Sequence, residues 1–185
     1  SFGTKFSSQI SAILSNYNYQ VDSEQDSADF SSMYYKLDQR IMRADFLYFP
    51  VYRHRIEFGL DATWYSLFPG RQVPLGDFST VPEKELEEER AIEPSIYISD
   101  EFEVSPYLSI SGGLRATYFT AFGPGTEFRY AENSPRTIEN LTDTITYGKG
   151  DVIKGYPGLE FRISARLVLS PRTSVKFGVQ RVYQY

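Results

Sequence analysis

Hydrophobic and polar positions alternate along much of this chain. From Leu159 to Leu169, the residues Leu159, Phe161, Ile163, Ala165, Leu167 and Leu169 share one parity, and Glu160, Arg162, Ser164 and Arg166 share the other. Only Val168 breaks the rule. Successive side chains of a strand point to opposite faces, whereas a helix would scatter this set around its surface. The same sorting places Leu108, Ile110, Gly112, Leu114, Ala116, Tyr118 and Phe122 against Ser109, Ser111, Gly113, Arg115 and Thr117. It places Ile56, Phe58, Leu60, Ala62, Trp64 and Phe68 against Glu57, Gly59, Asp61, Thr63 and Tyr65. Val175, Phe177, Val179, Tyr183 and Tyr185 oppose Lys176, Gly178, Gln180 and Gln184, with Arg181 in the apolar phase.

Weaker alternation marks three more strands. Ile92, Ile96, Ile98 and Phe102 form one apolar set, and Met42, Ala44, Phe46 and Tyr48 another. Tyr35, Leu37 and Ile41 fall out of phase with the latter, which predicts a bulge near Arg40–Met42. In the first strand, about Thr4 to Tyr19, Ile10, Ala12 and Leu14 compete with Ile13, Tyr17 and Tyr19.

Seven strands result, joined by connections of alternating length. Short turns fall at about 49–54, 104–107 and 170–173, carrying Pro50, Pro106 and Pro171. Long loops fall at about 20–31, 69–90 and 123–158. Short periplasmic turns and long extracellular loops are how transmembrane barrels are built. Loops this long are unusual in a compact soluble domain, and the strands exceed the roughly 5–6 residues usual in soluble sheets. The pattern predicts an all-β, antiparallel transmembrane β-barrel sheet.

Composition sharpens this. Tyr (15), Phe (14) and Trp (1) make up 16% of the chain. Tyr48, Phe49 and Tyr52 gather near one turn, and Trp64, Phe68, Tyr118, Phe119 and Phe122 gather toward the opposite strand ends, as two interfacial girdles would. Packing in a soluble core is the competing account. No apolar run is long enough for a transmembrane helix, but half-polar barrel strands escape that criterion. The net charge of -5 argues against a nucleic-acid partner. The absence of cysteine excludes disulfides, thiolate metal sites and a cysteine nucleophile. No signal peptide is visible at Ser1, so a processed chain or an internal fragment is expected.

Candidate chemistry is sparse. The single histidine, His54, lies in a predicted turn between Arg53 and Arg55, without the nucleophile and orienting acid that catalysis needs. No enzyme activity is expected. The acidic run Glu83–Glu89 lacks the alternating Asp/Asn/Gly spacing of a calcium loop and reads as solvated, with room for a helical turn or two. No metal or cofactor is expected. Glu57, Asp61, Arg115, Glu160, Arg162 and Arg166 all fall in the polar phase, where a barrel has its lumen.

Several strings resemble the barrel of TonB-dependent receptors, especially those of Bacteroidota-type bacteria. Tyr97-Ile98-Ser99-Asp100-Glu101-Phe102, a short turn, then Leu108-Ser109-Ile110-Ser111-Gly112-Gly113-Leu114-Arg115 is similar to one family hairpin. Gly158-Leu159-Glu160-Phe161-Arg162-Ile163-Ser164 is similar to another strand, with Phe161 where the family motif has Pro. Ala44-Asp45-Phe46 to Pro50, then His54-Arg55-Ile56-Glu57-Phe58-Gly59, resembles a third segment, and Ser174–Gly178 to Tyr185 a fourth. The resemblance implies a wall segment of a barrel of about 22 strands in the cell outer membrane of a Gram-negative bacterium. The plug domain and the remaining strands are expected outside this sequence. It also implies, as partners, outer-membrane lipid, a TonB-type energy-coupling protein and a scarce small-molecule or oligomeric nutrient, such as a siderophore, glycan, peptide or cobalamin. By their place in the loops, Phe78, Phe128, Arg129, Tyr130 and Tyr147 are candidate ligand contacts. A non-transporting barrel (an adhesin or a structural subunit) and a soluble β-barrel carrier are the alternatives.

Overall fold

The computed structural model describes residues 5–23, 30–76 and 79–184. Thr4, Phe78, Tyr185 and most of the first long loop lie outside the described residues. Seven long strands form one antiparallel sheet: β1 (Phe6–Ser23), β2 (Ser31–Tyr48), β3 (His54–Pro74), β5 (Glu89–Ser105), β6 (Leu108–Phe122), β9 (Val152–Ser170) and β10 (Thr173–Arg181). They lie side by side in chain order. A two-residue strand, β4 (Lys84–Glu85), pairs back onto β3. The strands β7 (Gly125–Tyr130) and β8 (Leu141–Tyr147) make a separate hairpin.

Cross-strand register assigns the faces. One row runs Ile10, Ala44, Leu60, Ile96, Ala116, Leu159 across six strands, and the row beside it runs Phe46, Phe58, Ile98, Leu114, Phe161. These are the apolar parities of the sequence, now in one plane. The opposite face carries Glu57, Asp61, Arg115, Glu160, Arg162 and Arg166. All-antiparallel pairing and the curl of the sheet bear out the barrel architecture.

Burial runs opposite to that of a soluble protein. Among the described residues no hydrophobic side chain is buried, whereas Asp61, Ser95 and Thr117 of the polar face are. Leu60 is 55% exposed, Leu159 59% and Ile163 52%. Side chains crowd on the concave side of a curved sheet and spread on the convex side, so the polar face is the inner one. No second layer covers the apolar face among the described residues, as a soluble sandwich would require.

Register also corrects several expectations. No bulge occurs at Arg40–Met42, where β2 pairs without a break with both neighbours. The out-of-phase apolar residues are instead a cluster on the polar face, Ile13 opposite Ile41, Tyr17 opposite Leu37 and Tyr19 opposite Tyr35. The irregularity of β2 sits at Tyr35, opposite Pro69 and Gly70 of β3. Proline brings no N–H to the ladder, and Gly70 has φ 153, a backbone state that glycine tolerates. Phe119 does not join the outer girdle: it lies on the polar face, its ring 6.3 Å from Tyr65 and 6.4 Å from Tyr156. Strand β10 ends at Arg181, and the Tyr183 amide turns to the Glu160 carboxylate at 2.9 Å, so Tyr183 does not extend the apolar phase. The acidic run forms no helix: Glu83 and Glu85 flank Arg71 at 2.6 and 3.7 Å, and β4 stays extended.

Candidate functional site

The concave face holds the chemistry. At its centre the Arg115 guanidinium on β6 reaches across β5 to Asp61 on β3, 3.0 Å away. Ser95 donates to the other Asp61 oxygen at 2.8 Å. Asp61 is 8% exposed, so these two donors take the place of water around its carboxylate. Toward the short turns, Arg55 binds Glu57 at 2.7 Å and Glu101 at 3.6 Å. Beside them Arg43 pairs with Asp45 at 2.8 Å and lies 5.8 Å from the centroid of the Tyr97 ring, while the Tyr97 hydroxyl donates to the same Asp45. Serines 111 and 164 meet at 2.7 Å.

Of the six residues read as lumen-facing, the structure joins Asp61 to Arg115 and engages Glu57 and Glu160 with other partners. Arg162 and Arg166 stand exposed on β9 with no ion pair among the described residues. Facing them from the next strand are Gln180 and Lys176. This corner of the concave face carries uncompensated positive charge, while Asp45, Glu57 and Glu101 balance the arginines elsewhere.

Four of the five loop candidates lie on the β7–β8 hairpin. Tyr147 donates to the Glu127 carboxylate at 3.0 Å, and Arg129 lies 3.8 Å from the same group. That carboxylate holds the Tyr147 phenol above its ordinary range. Phe128 projects from the other face, opposite Thr144, and is 54% exposed. The hairpin therefore divides these residues between two surfaces, and Phe78 lies outside the described residues.

Two constellations escape sequence reasoning. His54 is the first residue of β3, and its Nδ1 lies 2.6 Å from the Asp100 carboxylate while its ring stacks on Phe102 at 4.4 Å. Both are cross-strand relations, and register is not written in local spacing. The second is the polar-face ladder of Tyr65, Phe119 and Tyr156, which the odd parity of Phe119 within β6 does signal. Among the described residues no group of carboxylates or histidines is arranged to hold a metal ion.

No protein-family profile and no curated protein matches the chain. Among solved structures it is similar to the ferric-catecholate import receptor Fiu from E. coli K12. Against the closed form the TM-score is 0.54 at 12% identity, covering 97% of this chain and 30% of that one. Against the open form it is 0.51 at 12% identity, covering 97% and 33%. The chain thus spans about a third of the length of the receptor it matches. An E. coli structure gives the expected Bacteroidota-type kinship no support. At this identity the likeness is one of fold, and the fold is an antiparallel barrel sheet similar to that of a TonB-dependent receptor.

Proposed function

We propose that this chain forms part of the barrel wall of a TonB-dependent transporter in the cell outer membrane of a Gram-negative bacterium. The observation that carries the reading is the inverted sheet, with no large apolar residue buried among the described residues and buried carboxylate chemistry behind it. An unsatisfied strand edge cannot face lipid, so β1 and β10 meet further strands in the complete barrel. The likeness to an import receptor supports transport over a purely structural barrel.

The concave face would then look into the lumen and onto a plug domain. The exposed apolar cluster there supports this, with Ile13 (49%), Tyr17 (62%) and Tyr19 (51%) standing out from the charged side chains of that face. A lumen filled only with water gives such residues nothing to bury against. The β7–β8 hairpin would contribute Phe128, Arg129, Tyr130 and Tyr147 to capture of a scarce nutrient at the cell surface, and a TonB-type protein would energise its passage.

The test is fractionation and uptake with the full-length protein. It should pellet with the outer membrane, resist buffer extraction and require detergent. Uptake of its nutrient should cease when the proton-motive force is discharged. Recovery in the periplasmic soluble fraction would sink the wall reading, and uptake indifferent to the proton-motive force would sink energised transport.

A further inference from the structure

We propose that the convex face binds an anionic, phosphate-headed lipid at the long-loop rim of its apolar belt, with Arg40 and Lys149 as the phosphate-binding cations. The inference rests on the wall reading above and adds a specific lipid site to it. A groove of about 920 Å³ crosses this rim. Its floor is apolar, with Leu14, Met42, Trp64 and Ile92. Register puts Leu14, Arg40, Trp64 and Ile92 in one row, directly beyond the row of Ala12, Met42 and Ala62. Above that row the same face turns polar, with Asn16, Asp38 and Ser66. The groove thus straddles the level where acyl chains end and headgroups begin, and the one tryptophan of the sequence stands there.

Charge decides the occupant. Three cations border the groove, Arg40, Arg90 and Lys149, together with the carboxylates Asp38 and Glu88. Both carboxylates are already engaged. Lys36 holds Asp38 at 2.6 Å with Asn16 alongside, and Arg90 holds Glu88 at 2.7 Å with Ser66 alongside. The Arg40 guanidinium feels the nearby Asp38 charge through space, but neither Arg40 nor Lys149 makes a side-chain ion pair or hydrogen bond among the described residues. Lys149 is nevertheless held in place, because its turn is tied to the end of β6. Gly123 donates to the Asp151 carbonyl at 2.9 Å, and Gly150 donates back to the Gly123 carbonyl at 3.1 Å. Two unpaired cations over an apolar floor match a negative phosphate attached to acyl chains. A soluble anion would leave that floor uncovered, and a zwitterionic headgroup brings its own cation into the site.

Trp64 reports on the site. The full-length protein is reconstituted in phosphatidylcholine vesicles containing a minor fraction of lipid with brominated acyl chains, either phosphatidic acid or phosphatidylcholine. A W64F blank isolates the Trp64 emission. Brominated phosphatidic acid should quench Trp64 at several-fold lower mole fraction than brominated phosphatidylcholine, about fivefold for each cation. R40Q/K149Q should lose the preference while keeping the quenching by brominated phosphatidylcholine, and R40K should restore part of it in the K149Q background. Equal quenching by both lipids in the wild type overturns the site. A preference that survives in R40Q/K149Q overturns the assignment to these cations. No quenching by either lipid shows instead that Trp64 does not face a bilayer, and overturns the wall reading itself.

Discussion

At the scale of single residues, the inner face is sensitive wherever a buried group has few partners. Removing the Arg115 guanidinium in R115M leaves Asp61, at 8% exposure, with Ser95 as its one remaining side-chain donor among the described residues. An unsatisfied buried charge costs about 1–3 kcal/mol or more, whereas D61N removes the charge and keeps an acceptor for Ser95. The urea midpoint of the reconstituted protein should therefore fall further in R115M than in D61N, and the reverse order would show that water reaches Asp61. Gly59 is constrained by space. A Cβ there would stand 2.5 Å from the Ala44 carbonyl oxygen and 2.7 Å from the Tyr97 hydroxyl. Tyr97 is its cross-strand partner and lies over it, tethered to Asp45. G59A should cost about 1–3 kcal/mol by overpacking, read from the same midpoint, and G59A/Y97F should recover part of the loss because the hydroxyl is one of the two nearest atoms.

At the scale of elements, strands such as β6 and β9 were legible because their large apolar residues keep one parity over most of their length. The faces of β1 were not, because Ile13, Tyr17 and Tyr19 add an apolar surface on the polar side; parity cannot choose when both faces hold hydrophobic residues. Leu37 and Ile41 mimic a bulge at Arg40–Met42 because β2, too, carries apolar residues on its polar face. The His54–Asp100 pair stayed hidden for another reason, since it depends on which residue of β5 faces β3. The acidic run is solvent-exposed, as its composition predicts, but its tie to β3 is not visible in local spacing. It is a strap: Leu86 donates to the Gly70 carbonyl at 3.0 Å, and Glu88 binds Arg90 and Ser66. Arg90 first, and then Ser66, hold the Glu88 carboxyl below its ordinary range. A depressed folded-state value stabilises the strap above the unfolded-state pKa and loses that stability as pH falls through the folded one. Hydrogen exchange at the Leu86 amide, corrected for intrinsic rate, should accelerate on acidification through that interval. In E88Q the acceleration should vanish. Unchanged exchange in the wild type would show that the strap is held by β4 pairing alone.

At the scale of the whole molecule, one asymmetry organises everything else: the face that a soluble protein would hide is the face this sheet displays. Its extent matches a bilayer. From Leu108 to Tyr118 a strand advances roughly 33 Å, and at the usual tilt of about 40° this covers roughly 25 Å of thickness, the height of the apolar band in outer-membrane barrels. Leu60 and Leu159 share one row within this belt, whereas Ser111 and Ser164 lie on the opposite face. In a barrel wall an arginine placed at Leu60 or Leu159 would enter hydrocarbon, with a cost of about 2–4 kcal/mol near the midplane and less toward the interfaces. An arginine at Ser111 meets water and neighbours such as Glu101, its partner across the ladder. Folding of the full-length protein into lipid vesicles, followed by the heat-modifiable band on a gel, should therefore be depressed in L60R and L159R and nearly unchanged in S111R. If the sheet instead packed its apolar face against protein, L60R would be equally damaging in detergent micelles and in bilayers of any thickness. A barrel wall predicts a penalty that shrinks as the bilayer thins, because a thinner hydrocarbon layer brings the arginine within reach of the headgroups.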